Sequence, residues 1–180
     1  LQGVLRPTPL IHSPYLSKVC GNSVYLKPEN MQATGAYKLR GAYYKISTLS
    51  EEEKARGLVT ASAGNHAQGV AYAAQAAGVA ATIVMPTTTP LVKVNNTKDY
   101  GAKVVLHGEV FDDAAELAAK LAREEGLTYV HPFNDLTLAT GQGTIAYEIF
   151  QDLPDVEAIL VPIGGGGLAA GVSTLAKLLN

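Results

Sequence analysis

The chain has no tryptophan and a single cysteine, Cys20. One cysteine excludes an internal disulfide framework and fits a reducing compartment. Cys20 itself reads as a small buried or half-buried apolar residue rather than a catalytic thiol. Long runs of like charge and low-complexity stretches are also missing, so no segment reads as disordered. Fourteen Lys and Arg against sixteen Asp and Glu leave a net charge of −2, and the basic residues are scattered. That gives no electrostatic footing for nucleic acid. No apolar run approaches membrane-spanning length, and the first residues show no signal-peptide pattern. The expectation is a cytoplasmic protein with neither nucleic acid nor membrane as partner. Metal-ligand spacing of Cys and His is absent too, so no metal is expected.

What is present is an apolar fraction of 47% and a charged fraction of 17% over 180 residues. That suits one large domain, or one domain with a small subdomain. Short apolar strands alternate with amphipathic helices. Strands are expected at Val24 to Lys27, Leu58–Ala61, Ala81–Met85, 103–107, 128–130 and 158–163. Helices are expected after Lys38 and at Asn65–Ala77, 91–100, 112–125, 139–151 and 168–179, with glycines such as Gly78, Gly101 and Gly126 closing them. Alternation of this kind implies an α/β fold with open, mostly parallel sheets and helices on both faces. Ligands of such sheets bind where strands lead into helices. Residues 43–129 are expected to form a small domain, with 1–42 and 130–180 contributing to a larger one.

Three blocks carry chemistry. In the run Glu29-Asn30-Met31-Gln32-Ala33-Thr34-Gly35-Ala36-Tyr37-Lys38-Leu39-Arg40-Gly41-Ala42, a lysine follows a strand and a small-residue turn and opens a helix. The helix N-terminus disfavours an ammonium and eases its deprotonation. A positioned neutral amine is what Schiff-base chemistry requires. Alone, Lys38 reads equally well as a solvated helix lysine, Arg40 as a structural ion-pair partner, and Tyr37 as a core aromatic or a ring flanking a ligand. In Gly164-Gly165-Gly166-Gly167-Leu168, backbone N–H groups before a helix can converge on an anion, or the glycines merely relieve a turn. No P-loop lysine follows, which favours a single phosphate over a nucleotide. In Ser62-Ala63-Gly64-Asn65-His66-Ala67-Gln68-Gly69, a strand-to-helix turn holds a carboxylate or is simply a cap. Gln142, Thr144 and Glu148 lie near this site or pack a helix.

Taken in order, these blocks, with the Ile-Val-Met-Pro, Gly-Gln-Gly-Thr-Ile and Val-Pro-Ile-Gly-Gly-Gly-Gly runs, resemble the threonine dehydratase (threonine ammonia-lyase) and serine dehydratase branch of the fold-type II pyridoxal-phosphate enzymes. The similarity is nearly continuous from Thr8-Pro9-Leu10 to the last helix. It implies a tryptophan synthase β-like fold, truncated here, with pyridoxal 5'-phosphate as cofactor. By the resemblance, Lys38 forms the Schiff base, and Gly164, Gly165, Gly166, Gly167 and the Leu168 backbone cradle the phosphate. Asn65 bonds the ring hydroxyl, Tyr37 flanks the ring where phenylalanine is usual, and Ala36 stands where serine is commoner. Ser62, Ala63, Gly64, Asn65 and His66 receive the substrate carboxylate.

The reaction implied is β-elimination from L-threonine and L-serine to 2-oxo acids and ammonia, a lyase of amino-acid metabolism, isoleucine biosynthesis included. Lys38 removes the Cα proton and the ring delocalises the charge. One methyl separates the two substrates, worth about 1–3 kcal/mol of discrimination. The similar serine racemases carry serine where this chain has Ala63, which argues for elimination. A serine racemase, another fold-type II enzyme such as a β-replacing synthase, and an inactive fragment stand as alternatives. Family members run longer, so the remainder of the large domain, the group that contacts the ring nitrogen and any regulatory domain are expected outside these residues. The full enzyme is expected to be a homo-oligomer, a dimer or tetramer, with a small amino acid as its partner.

Overall fold

The computed structural model describes residues 3–179. The chain opens with a two-residue strand β1 (Ile11–His12), helix α1 (Pro14–Cys20) and strand β2 (Tyr25–Leu26), which pairs antiparallel with β1. Helix α1 starts where Ser13 accepts from the Leu16 N–H and Pro14 takes the first position, and stops at Gly21. A 3-10 turn (Glu29–Met31) leads into α2 (Lys38–Ser47). Helix α3 (Glu51–Arg56) follows, held by a capping box between Ser50 and Glu53.

Next come β3 (Leu58–Ala61), α4 (Asn65–Ala77), β4 (Ala81–Met85), α5 (Leu91–Asp99), β5 (Lys103–Leu106), α6 (Phe111–Glu124) and β6 (Thr128–Tyr129). Their four strands form one parallel sheet in the order β5-β4-β3-β6. Alternate residues feed opposite faces, as a pleated strand dictates. Leu58, Ile83 and Met85 join the core built with α2 and α4, while Val59, Ala61 and Val84 meet Ala114 and Ala118 of α6. The sheet is therefore buried on both sides, and β3 is buried at every residue. Long helices α7 (Leu136–Asp152) and α8 (Gly167–Leu179) pack on each other beyond it, and α2 lies between α4 and α7.

Four expectations need correction. Residues 158–163 pair with no described strand, and Leu160 and Ile163 are 93% and 76% exposed. An apolar run becomes a strand only when a neighbour supplies ladder partners, and the four-stranded sheet has no place for this one. The lysine block and the glycine run consequently do not issue from one parallel sheet: only the turn after β3 does. Cys20 is exposed at the end of α1, because that helix buries no residue. Helix α7 begins three residues earlier than expected, where the Asp135 carboxylate accepts from the N–H groups of Thr137 and Leu138.

A buried charge cluster ties the first segment to the helices. Arg40 of α2 is 1% exposed and contacts two carboxylates. Its Nε and Nη2 donate to Glu29 at 2.7 and 2.8 Å, and its Nη1 and Nη2 donate to Glu148 of α7 at 2.6 and 2.8 Å. Lys27 pairs with Glu148 at 2.6 Å and donates to the Thr8 carbonyl. The Thr8 hydroxyl donates to Glu29 at 2.6 Å. Two cations thus face two anions. Burial opposes the charge on Arg40, but hydrogen bonds to Glu29 and Glu148 outweigh it and hold the guanidinium charged. Burial likewise opposes the charge on Glu148, and Arg40 and Lys27 outweigh it, holding that carboxyl below its usual range.

Arg40→Met leaves two carboxylates facing each other without their shared cation, and should destabilise the fold by about 3–5 kcal/mol. Urea unfolding at neutral pH measures this. A loss below about 1 kcal/mol, the worth of a surface pair, would show that the cluster is solvated.

Candidate active site

Lys38 is the first residue of α2 and is half-buried. Its Nζ donates to the Pro132 carbonyl at 2.7 Å and lies 5.6 Å from the centre of the Tyr37 ring. Burial holds its pKa below the usual lysine value. The amine is therefore easier to deprotonate than a solvated lysine. The cause is burial, and not the helix terminus from which the sequence pattern expects this weakening. Tyr37 is half-buried as well, and burial raises its hydroxyl pKa.

The turn at residues 62–64 joins β3 to α4, at the carboxyl edge of the parallel sheet. Ser62 is buried, and its Oγ accepts from the Gly64 N–H at 3.2 Å. No side chain caps α4 and no acid stands in its first turn. Its N-terminus is left as an open row of donors with the helix dipole behind them. Ala63 and Gly64 are half-buried and Asn65 is exposed. His66 is 3% exposed and its Nε2 donates to the Val130 carbonyl at 3.4 Å, while its buried Nδ1 meets no partner among the described residues. Burial first, and then the nearby Lys38 charge, push its pKa down to about 3. The imidazole is neutral at physiological pH.

The loop after β6 meets the lysine and the glycine run, and Val130 just before it accepts from His66. After β6, His131 Nδ1 accepts from the N–H groups of Phe133 and Asn134 at 3.3 and 2.8 Å, which fixes the Pro132 carbonyl under Lys38. The Phe133 ring lies against the glycine run: a Cβ at Gly165 would come 2.7 Å from its Cγ. Tyr37 and Leu168 pack on the same apolar cluster, with Ile145 and Val172. The signal for this loop was its position, since it follows a strand at the sheet's carboxyl edge.

The glycine run itself is open. Gly164 and Gly165 are exposed, Gly166 and Gly167 half-buried, and Gly166 has φ +84, a conformation that side chains with a Cβ rarely adopt. Among the described residues, the N–H groups of Gly164, Gly165, Gly166 and Gly167 meet no acceptor, and α8 has no acid in its first turn. An unpaired row of donors at a helix start suits a phosphate. Arg40, Thr144 and Glu148 belong to the structural cluster, and Gln142 accepts from the Gly41 N–H at 3.1 Å, tying α2 to α7. These side chains support the site and do not face it.

A desolvated amine and a glycine cradle that share one loop, with an uncapped helix turn nearby, fit pyridoxal phosphate and an amino acid bound beside it. The family model for pyridoxal-phosphate dependent enzymes matches residues 1–180. The chain belongs to that family. It is 55% identical over 180 residues to the L-threonine ammonia-lyase of Thermotoga maritima, covering all of this chain and 45% of that protein. It is 53% identical to the catabolic L-threonine dehydratase TdcB of Staphylococcus aureus, covering 98% of this chain and 51% of the relative. Among solved structures, processed threonine deaminase isoform 2 of Solanum lycopersicum superposes with a TM-score of 0.95 at 47% identity, over 98% of this chain and 51% of that one. Maize serine racemase also superposes with a TM-score of 0.95, at 36% identity, over 98% of this chain and 54% of that one. The chain spans about half the length of these relatives. No described helix is long and apolar enough to cross a membrane.

The neutral His66 has a consequence for stability. Its folded pKa of about 3 lies below the ordinary value of 6.5, so the unfolded chain binds its proton first as pH falls. The contribution is full above pH 6.5 and is lost as pH drops from there toward about 3. Between pH 6.5 and 5 the loss from this group is about 2 kcal/mol. The fall in urea midpoint from pH 7 to 5 should be smaller in His66→Asn than in the unaltered protein. Equal falls would place a protonated imidazole in the fold.

Proposed function

We propose that the full-length enzyme containing this chain deaminates L-threonine and L-serine by β-elimination, yielding 2-oxo acids and ammonia. The observation that carries this reading is the Lys38 amine, half-buried at the start of α2 and held on the Pro132 carbonyl, between the turn after β3 and the loop that abuts the glycine run. The names of the relatives from Thermotoga, Staphylococcus and Solanum support threonine as substrate.

In this reading Lys38 Nζ holds the cofactor covalently. The backbone of Gly164, Gly165, Gly166, Gly167 and Leu168 binds its phosphate, Asn65 meets the ring hydroxyl and Tyr37 flanks the ring. When bound, pyridoxal phosphate supplies an electron sink for negative charge at the substrate Cα. The chain supplies the rest. Residues 62–66 orient the substrate by its carboxylate, using the uncapped N–H groups of α4. Once the substrate amine has taken its place on the cofactor, Lys38 Nζ is free and, its pKa lowered by burial, would accept the Cα proton. His66 stays neutral, so it adds no second cation beside the amine.

Residues 43–129 form the small domain, and 1–42 with 130–180 form part of the large one. The containment of the four-stranded sheet within 43–129 supports that division. The full enzyme is cytoplasmic, acts as a dimer or tetramer, and serves amino-acid metabolism. Isoleucine biosynthesis is one such role, and the catabolic name of the Staphylococcus relative favours breakdown.

Superposition on maize serine racemase keeps racemisation as the second reading. Racemisation needs a proton donor on the face opposite Lys38, and the Ala63 methyl offers none. The full-length enzyme should turn L-threonine and L-serine into 2-oxo acids with little D-serine, and Ala63→Ser should increase D-serine while elimination continues. A 2-oxo acid assay beside chiral analysis of residual serine measures both. Substantial D-serine from the unaltered enzyme would favour the racemase reading.

A further inference from the structure

We propose that Lys93 is a ligand of the substrate's α-carboxylate, closing the anion site over the turn at residues 62–66. This rests on the reading above that the turn receives that carboxylate. A Cβ at Gly64 would lie 3.1 Å from Lys93 Nζ, so the amine stands directly against the turn's backbone. A side chain at position 64 would displace it, and glycine there keeps the amine beside the first N–H groups of α4.

Lys93 is placed against its own interest. It sits in the first turn of α5, where the helix dipole disfavours a cation. That turn contains no acid, and no side chain caps the helix. Among the described residues Lys93 forms no ion pair. Its half-buried side chain is held by its helix. One turn on, Asn96 donates to Gln68 of α4 at 3.2 Å, while Val94 and Thr97 are buried. Helix α5 is thereby clamped to α4 with the ammonium at the α4 N-terminus. The ammonium thus stands at the uncapped start of α4 with no carboxylate to balance it. A carboxylate arriving there would satisfy both the ammonium and the α4 N–H groups through charge-assisted hydrogen bonds.

The test uses the full-length holoenzyme with Lys93→Met and Lys93→Arg, and butanoate as a carboxylate that has no amine and cannot react. Loss of a charge-assisted bond should raise KM for L-threonine and weaken butanoate binding by about tenfold or more in Lys93→Met, with kcat changed far less. Lys93→Arg should restore most of both. The visible absorbance of cofactor on Lys38 should be the same in all three proteins. Butanoate calorimetry on the cofactor-free enzyme gives a second reading independent of turnover. If Lys93→Met does not fold, Lys93→Gln takes its place. KM and butanoate affinity within twofold of the unaltered enzyme would overturn the proposal. An enzyme that binds butanoate through Lys93 yet forms no 2-oxo acid would defeat the proposed reaction and leave this ligand standing. Deamination with Lys93-independent carboxylate binding would do the reverse.

Discussion

The guanidinium of Arg40, buried between Glu29 and Glu148, is the interaction on which the site depends. Arg40 stands two residues beyond Lys38, so whatever fixes Arg40 fixes the start of α2. Glu29 comes from the turn that delivers the chain to Lys38, and Glu148 comes from α7, which packs against α2 and α8. Lys27 and Thr8 complete the cluster from the first segment. Four charges balanced in a low-dielectric pocket leave little freedom for the helix to shift, because any displacement strands a carboxylate. A lysine with the role proposed for Lys38 needs a fixed backbone while its amine stays free to exchange partners. The cluster provides that separation, with the charge pairs on one side of α2 and the amine on the other.

The site is assembled from three kinds of backbone end. A helix start presents Lys38, a parallel strand's carboxyl end presents the turn at 62–64, and a glycine run presents unpaired N–H groups before α8. The loop at residues 131–134 joins the first and the last, with its Pro132 carbonyl under the lysine and its Phe133 ring against the glycines, and His66 beside the turn donates to Val130 just before it. None of the three is catalytic by itself. Burial lowers the amine's pKa and keeps His66 neutral, so the electrostatics of the site follow from packing as much as from charge.

Much of this was legible in the amino-acid order because it is local. The bounds of β3, α4 and β4 agree with the sequence pattern residue for residue, since apolar period and glycine stops are written within each segment. Helix α3 was missed although Ser50 and Glu53 spell its capping box, and α1 was missed although Ser13-Pro14 and Gly21 bracket it. Both signals were there to be read. Residues 158–163 were mistaken for a strand because β structure needs a partner that no local pattern specifies. The pairing of Arg40 with Glu148 and of Lys38 with the Pro132 carbonyl joins residues about a hundred positions apart, and no spacing rule reaches so far. The chemical blocks are visible in the sequence, whereas the loop at 131–134 is marked there only by its place after a strand.

Borohydride reduction of the full-length holoenzyme, followed by peptide mapping of the pyridoxyl group, tests the central claim most directly. Reduction freezes the cofactor on whichever lysine carries it, without reference to substrate or turnover. The account predicts the label on Lys38 alone. A label on Lys27, Lys45 or Lys93, with Lys38 unmodified, would contradict it.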